Sequence, residues 1–329
     1  MNRALLRKCL LEAQWLFWAC AIALFSFCWV RVWLVSRLEM GKFRTVVETF
    51  REEIEKFLPI GIDALFSYTG RIAVIFEEAI VVLCIVIWAV ARGTDAVSGE
   101  LGRGTMEMLL AQPVSRLQVL FHQAAVTVGG VALLAAITWF GTFVGIQTLS
   151  AKEAKPTPSV IASLLRFEWP KAEPEQDKKF IYTPLRDKVD ARDLLPGAVN
   201  LFALGFFLAG LSTCISAFDR YRWRAIGLVV GIYVVQLIFK GIGVAVKDWQ
   251  WMCYASFFTA YEPQLLVQIA VQHPPEAWNF FRTTTDPNAR HVLSSLGPLG
   301  FDSILWLLGI LAYTVGCTRF CTRDLPPPL

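Results

Sequence analysis

The chain of 329 residues has no G-x-x-x-x-G-K-[ST] run, so it offers no loop of its own to cradle nucleotide phosphates. H-E-x-x-H and G-x-S-x-G are missing too, which removes the signatures of a zinc protease and of a serine hydrolase. Histidine is scarce: His122, His273 and His291 are the only three, and they lie far apart in sequence. Cys317 and Cys321 stand four apart on one helix face, too few ligands for a metal site. The net charge of +4 is small and means little as a total, and no nucleic-acid partner is expected. No low-complexity tract and no internal repeat stand out, which argues against an inverted-repeat carrier. No enzyme site and no bound cofactor are expected.

Hydrophobic residues make up 55% of the sequence. That is only modestly above the ~45–50% apolar usage of soluble domains, so the distribution has to decide. Apolar residues are gathered into runs long enough to cross a hydrocarbon core, which takes about 20 helical residues. Such runs must be helical, because lipid offers the backbone no hydrogen-bond partner. The pattern predicts an all-α polytopic membrane protein, one membrane domain with spans at 13–35, 72–91, 122–147, 197–218, 225–246 and 300–320. Residues 225–246 hold 13 Leu, Ile, Val or Phe. At about −0.3 to −0.6 kcal/mol each they contribute roughly −4 to −8 kcal/mol, against about 3 for Lys240 at the bilayer centre. Insertion wins, helped if Lys240 snorkels outward.

Cys20, Cys28, Cys84, Cys214 and Cys317 fall inside apolar runs, where cysteine behaves as a small hydrophobe, and Cys253 has no obvious partner. Disulfides are therefore not expected. Arg3, Arg7 and Lys8 precede the apolar stretch 13–30, which is too long for a signal-peptide core and lacks a small-x-small end. It reads as a retained first span, with residues 1–12 forming an interfacial helix on the membrane.

Asp219–Arg224 carries three Arg in six residues between spans four and five, a strong cytoplasmic mark. Six spans then put both termini in the cytoplasm and predict a cytoplasmic (inner) membrane location. Residues 92–121 share that side; 36–71, 148–196 and 247–299 face outward. The first of these has the spacing of an amphipathic helix (Phe43, Val46, Phe50, Ile54, Phe57). The second is charged, with a strand expected at 179–183. The third has apolar stretches that suit helices dipping into the outer leaflet.

The most informative stretch is Ser98-Gly99-Glu100-Leu101-Gly102-Arg103-Gly104-Thr105-Met106-Glu107-Met108-Leu109-Leu110-Ala111-Gln112-Pro113-Val114-Ser115-Arg116. Thr105 suits an N-cap and Glu107 the first turn, where the helix dipole favours negative charge. Met106, Leu109 and Leu110 fall on one face, and Pro113 stops the helix. A short apolar helix held under the membrane suits docking into a groove of a soluble partner.

This stretch resembles the hallmark of ABC-transporter permeases of the type-2 exporter family, through Glu100, Gly104, Thr105, Glu107, Leu109, Leu110, Pro113, Ser115 and Arg116. The resemblance implies a coupling helix that contacts an ATPase subunit, a second permease subunit beside this one in the lipid bilayer, and ATP and Mg used by the partner alone. His122, where relatives often carry Lys, departs from the pattern. Two other classes stay open: a membrane scaffold that docks a soluble protein, and an ion-coupled carrier. The candidate pathway residues are Glu77 and Glu78 at the outer end of span two, and Gln236 and Lys240 on one face of span five. Each also has a structural reading, as interface charges and helix-holding polar groups. Gly205, Ala209, Gly210, Ser212 and Thr213 make span four small-sided, fit for close helix packing. Trp15, Trp18, Trp29 and Trp33 suit the aromatic belts.

Overall fold

The computed structural model describes residues 3–37, 66–111, 113–154, 180–283, 293 and 295–323. The amphipathic pattern at 43–57 lies outside them. Among the described residues six helices are long and apolar enough to cross a membrane: Arg3–Arg37, Tyr68–Gly102, Arg116–Thr148, Ala191–Phe218, Arg222–Ala245 and Pro298–Thr322. The fold is all-α and polytopic, as the charge-free runs require.

Helix α1 (Arg3–Arg37) is one uninterrupted rod. The separate interfacial helix expected at 1–12 is therefore corrected. Its first turns bury Leu5, Cys9 and Ala13, and Lys8 reaches Glu100 at 2.6 Å. Those contacts hold the start of the rod against the bundle. The second span is less regular. It begins with α2 (Tyr68–Ala73) and a 3-10 turn, Val74–Glu77, then runs as α3 (Ala79–Thr94) into a π-helical turn at Asp95–Gly99 and a last turn at Glu100–Gly102. After α4 (Thr105–Leu110) comes the third span, α5 (Arg116–Thr148). Ser115 caps it: its hydroxyl accepts from Gln118 N–H while the Gln118 side chain accepts from Ser115 N–H, each at 3.2 Å. A reciprocal box of this kind satisfies two donors that a helix start would otherwise leave free.

Two strands follow, β1 (Ser150–Ala154) and β2 (Phe180–Pro184), paired antiparallel with Ala151 opposite Thr183. The strand expected at 179–183 is there, one residue later. Helices α6 (Leu195–Phe218), α7 (Arg222–Ala245) and α10 (Pro298–Thr322) complete the spans.

Helix α6 is the centre of the bundle, packed on α10, α3 and α5. Its small side allows this. A Cβ on Gly210 would lie 2.7 Å from the Gly309 carbonyl oxygen of α10, so the two backbones meet directly. Lipid gives no hydrophobic drive between helices, and close backbone packing takes its place. Helix α7 is peripheral, with Leu228, Val234, Leu237 and Ile238 exposed.

Between α7 and α10 the chain folds back over the bundle in short pieces, chiefly α8 (Trp251–Ala255), a 3-10 turn at Phe257–Ala260, and α9 (Pro263–Gln272). Phe257 meets Phe207 of α6 edge to face, and Phe258 meets Tyr233 of α7 in the same way, with ring centroids 4.8 and 5.0 Å apart. The eight cysteines are free.

Candidate functional site

Both described termini and the Asp219–Arg224 loop lie at one end of the bundle, called here the basic end. Helix α4 hangs there between the second and third spans. Its N-cap is Gly104, at φ 70°. That left-handed conformation costs an L-residue ~1–2 kcal/mol and glycine little. Thr105 is the first helical residue, not the cap expected from its type. Its hydroxyl donates instead to the Glu100 carboxylate.

Glu100 is the hub of this end. It is fully buried, with Lys8 at 2.6 Å and Arg103 at 3.4 Å. A carboxylate taken out of water must be paired in this way or lose its charge. Asp95 forms a second hub. Arg103 donates to both its oxygens, at 2.7 and 3.3 Å, while Arg222 and Arg92 approach at 3.4 and 3.6 Å. The bonds to Asp95 hold the Arg103 guanidinium above its ordinary pKa, so it stays cationic at any physiological pH.

The π-turn that carries Asp95 breaks the regular backbone ladder. Ser216 of α6 repairs it: its hydroxyl oxygen accepts from Val97 N–H at 3.2 Å and Ser98 N–H at 2.8 Å, and its O–H donates to the Thr94 carbonyl at 2.9 Å. Turns of this kind are frequent at functional sites.

The apolar face of α4 is not turned outward as expected. Met106 is 1% exposed and packs with Val97, Leu120, Ala217 and Phe320. Leu109 is half-buried against the main core, and Leu110 closes the helix. The helix ends at Leu110, ahead of exposed Pro113. What α4 offers outward is Glu107 and Met108, the latter 72% exposed, with Leu117 exposed on the next helix. Arg116 points inward and caps the last span: its Nη1 donates to the carbonyls of Phe320, Cys321 and Arg323, the last at 2.6 Å. Arg323 in turn donates to Ala217 O at 3.0 Å. The segment is thus stitched to the ends of α6 and α10. His122 is buried, its Nδ1 2.6 Å from the Gln118 carbonyl, and takes no part in the surface.

The four residues marked as pathway candidates sit near the opposite end. Glu78 pairs with Arg31 of α1 at 2.8 Å, just before α3 begins. Glu77 accepts from the backbone N–H of Gln264 at 3.4 Å. Gln236 accepts from Phe257 N–H at 3.3 Å through its side chain. Lys240 does not reach out to water. It donates to the carbonyls of Phe258 and Tyr261 and pairs with Glu262 at 2.7 Å. Glu78 ties the start of α3 to α1, and the contacts of Glu77, Gln236 and Lys240 fasten the α8–α9 cap to the bundle. Asn200 adds to it, donating to Ala260 O and to Asp302 and accepting from Glu262 N–H.

Sequence reading passed over Lys8, Asp95, Arg103, Met108 and Ser216. A signal existed for one pair, Arg92 and Asp95, spaced i,i+3 at the end of an apolar run.

Six spans and a short helix slung between the second and third define a polytopic membrane transport subunit. The chain belongs to the ABC-2 family of transporter proteins, whose family model matches residues 13–325. Membership makes it an ABC-transporter permease, a transport subunit of a multi-pass membrane protein family that typically works with an ATPase partner. No curated protein matches it significantly.

Proposed function

We propose that the chain is the membrane half of an exporter, driven by a separate ATPase subunit that docks beneath α4. ATP and Mg bind on that partner, and this chain does no covalent chemistry. A second permease subunit, identical or related, completes the pathway. The basic end faces the cytoplasm, with both termini there, and the membrane is the cytoplasmic one. Arg220 in the short loop before α7, with Arg222 and Arg224 in its first turn, supports that orientation.

The observation that carries the reading is the two-sided build of α4. Met106 anchors it inward, while Glu107 and Met108 stand outward at the basic end. Methionine is an adaptable contact residue, suited to a partner's groove. The docking surface is then Glu107 and Met108, continued by Leu117. Gly104, Thr105, Glu100 and Pro113 fix the helix, and Ser115 and Arg116 fix the start of α5. A push on α4 passes through Met106 to Phe320 and through Arg116 to the end of α10. It passes through the Ser216-filled π-turn to α6.

The test is a pull-down of tagged protein from gently solubilised membranes, with ATPase activity assayed on the eluate. Met108→Asp with Leu117→Asp should lose the ATPase while eluting as a folded species. Tyr254→Gln, exposed on the cap, should keep it. An ATPase that stays bound to the Met108/Leu117 variant, or none with the parent, refutes the docking assignment.

A further inference from the structure

We propose that the basic end holds a site for the phosphate of an anionic phospholipid, seated over the end of α3 between α1 and α7. A cavity of about 400 Å³ opens there, walled by Glu12, Ala91, Arg92, Asp95, Arg103 and Arg222.

Its charge is unbalanced. Lys8, Arg92, Arg103 and Arg222 are the cations of the network, and Glu12, Asp95 and Glu100 are the carboxylates. Three guanidiniums share Asp95, which one carboxylate cannot satisfy. Arg92 is 4% exposed; its Nη2 is spent on Gln123 at 2.8 Å, and among the described residues its Nε has no acceptor. Arg222 spends Nη2 on the Ala91 carbonyl at 3.0 Å, and its Nε is likewise without an acceptor. A buried donor left unmade is costly, and guanidinium forks match phosphate oxygens. A phosphate monoanion in the cavity would meet the exposed parts of the Arg103 and Arg222 guanidiniums, 43% and 40% exposed, and neutralise the surplus charge. Two carboxylates in the wall oppose it: Asp95, already paired with arginines, and Glu12, held by Lys8 at 3.4 Å.

The neighbouring surface says what the phosphate is attached to. Ile80, Leu83 and Ile87 are 47%, 55% and 43% exposed on α3. Their spacing puts them on one face with Ala91, which walls the cavity. From Ile80 to Ala91 is about 16 Å of helix at ~1.5 Å per residue. That is close to half of a hydrocarbon core about 30 Å thick, the depth of one acyl chain. Basic pockets between spans on the cytoplasmic side suit anionic headgroups. The track runs continuously from the bilayer face to the cavity wall, and an acidic protein segment would have to enter the bilayer to cover it.

The test needs no ATPase, so its outcome is independent of the docking assignment above. Delipidated protein is mixed in detergent with phosphatidylglycerol or phosphatidylcholine, and retained lipid is read by native mass spectrometry. Phosphatidylglycerol should bind about tenfold tighter, equivalent to about 1.4 kcal/mol. Arg222→Gln should remove that preference, and Glu12→Gln should increase it. Equal retention of the two lipids overturns the site. So does a preference that survives Arg222→Gln in folded protein. If that variant does not fold, Glu12→Gln still decides: no gain overturns the proposal. Displacement of the lipid by inorganic phosphate alone would show a free-anion site. Displacement by a second copy of the chain, seen as a lipid-free dimer, would show an interface. Either result overturns the lipid assignment.

Discussion

Each end of the bundle contains one lysine that crosses to a buried carboxylate on another element. At the basic end Lys8 meets Glu100 at 2.6 Å; at the opposite end Lys240 meets Glu262 at 2.7 Å. The pairs are alike in length and differ in surroundings. Glu100 also has Arg103 and the Thr105 hydroxyl, and Arg103 is itself shared with Asp95. Charges there are interchangeable, and several of the cations reach solvent. Lys240 instead spends its remaining donors on two backbone carbonyls of the cap. The first arrangement allows a segment to move while staying paired. The second locks one geometry. The function proposed above, a permease driven from one side, needs both: a mobile input and a firm opposite rim.

The largest expected effect is at the locked end. Lys240→Met takes the ammonium from the Glu262 carboxylate, 6% exposed, and removes one hydrogen bond each from the carbonyls of Phe258 and Tyr261. Breaking one partner of a buried pair costs about 3–5 kcal/mol. Thermal denaturation in detergent should show a large drop in midpoint. A variant as stable as the parent would dissolve the contrast between the ends. Next comes Ser216→Ala, which takes the acceptor from two amides of the π-turn. It should cost about 1–3 kcal/mol, the penalty of unsatisfied buried donors. Hydrogen exchange would locate the loosening at Val97 and Ser98 and nowhere on the cap. Smaller again is Gly104→Ala, at about 1–2 kcal/mol for an L-residue at φ 70°. Its effect on stability should be exceeded by its effect on ATPase co-purification, because it re-aims α4.

How much of this was legible in the sequence depends on the range of each interaction. The six spans were legible because a run without charge leaves few alternatives. The small side of α6 was legible for the same local reason, as was the strand at 180–184. The position of α4 was legible from its motif; which way it faces was not. Helix phase puts Met106 and Leu109 on a common face, and both pack inward, but nothing local says whether that face meets a partner or its own bundle. Burial of Met106 against Phe320 depends on a residue more than half the chain away. Thr105 was assigned the cap by residue type, yet its hydroxyl is taken by Glu100, and the positive φ falls on Gly104. The N-terminal turns looked interfacial from their alternating charge. Lys8 instead finds Glu100 across 92 positions, which no window of sequence can show.

The smallest effect belongs to Lys8→Gln, and it tests the comparison most closely. Its pair with Glu100 is as short as that of Lys240 with Glu262, so pair length alone would predict equal losses. The neighbourhood predicts otherwise. Lys8 is about a third exposed, so water already screens its charge. After the change Arg103 remains on Glu100, Thr105 still donates to it, and glutamine can donate one bond in place of the ammonium. The loss should be about 1 kcal/mol or less, in the range of exposed pairs. It should grow when Arg103→Gln is added, because the two cations cover for each other. The combined loss should exceed the sum of the separate losses, as expected of residues in one network. Strict additivity would mean that Glu100 does not share its cations. The basic end would then be as rigidly assigned as the cap, and the idea of a mobile, always-paired input would fall with it.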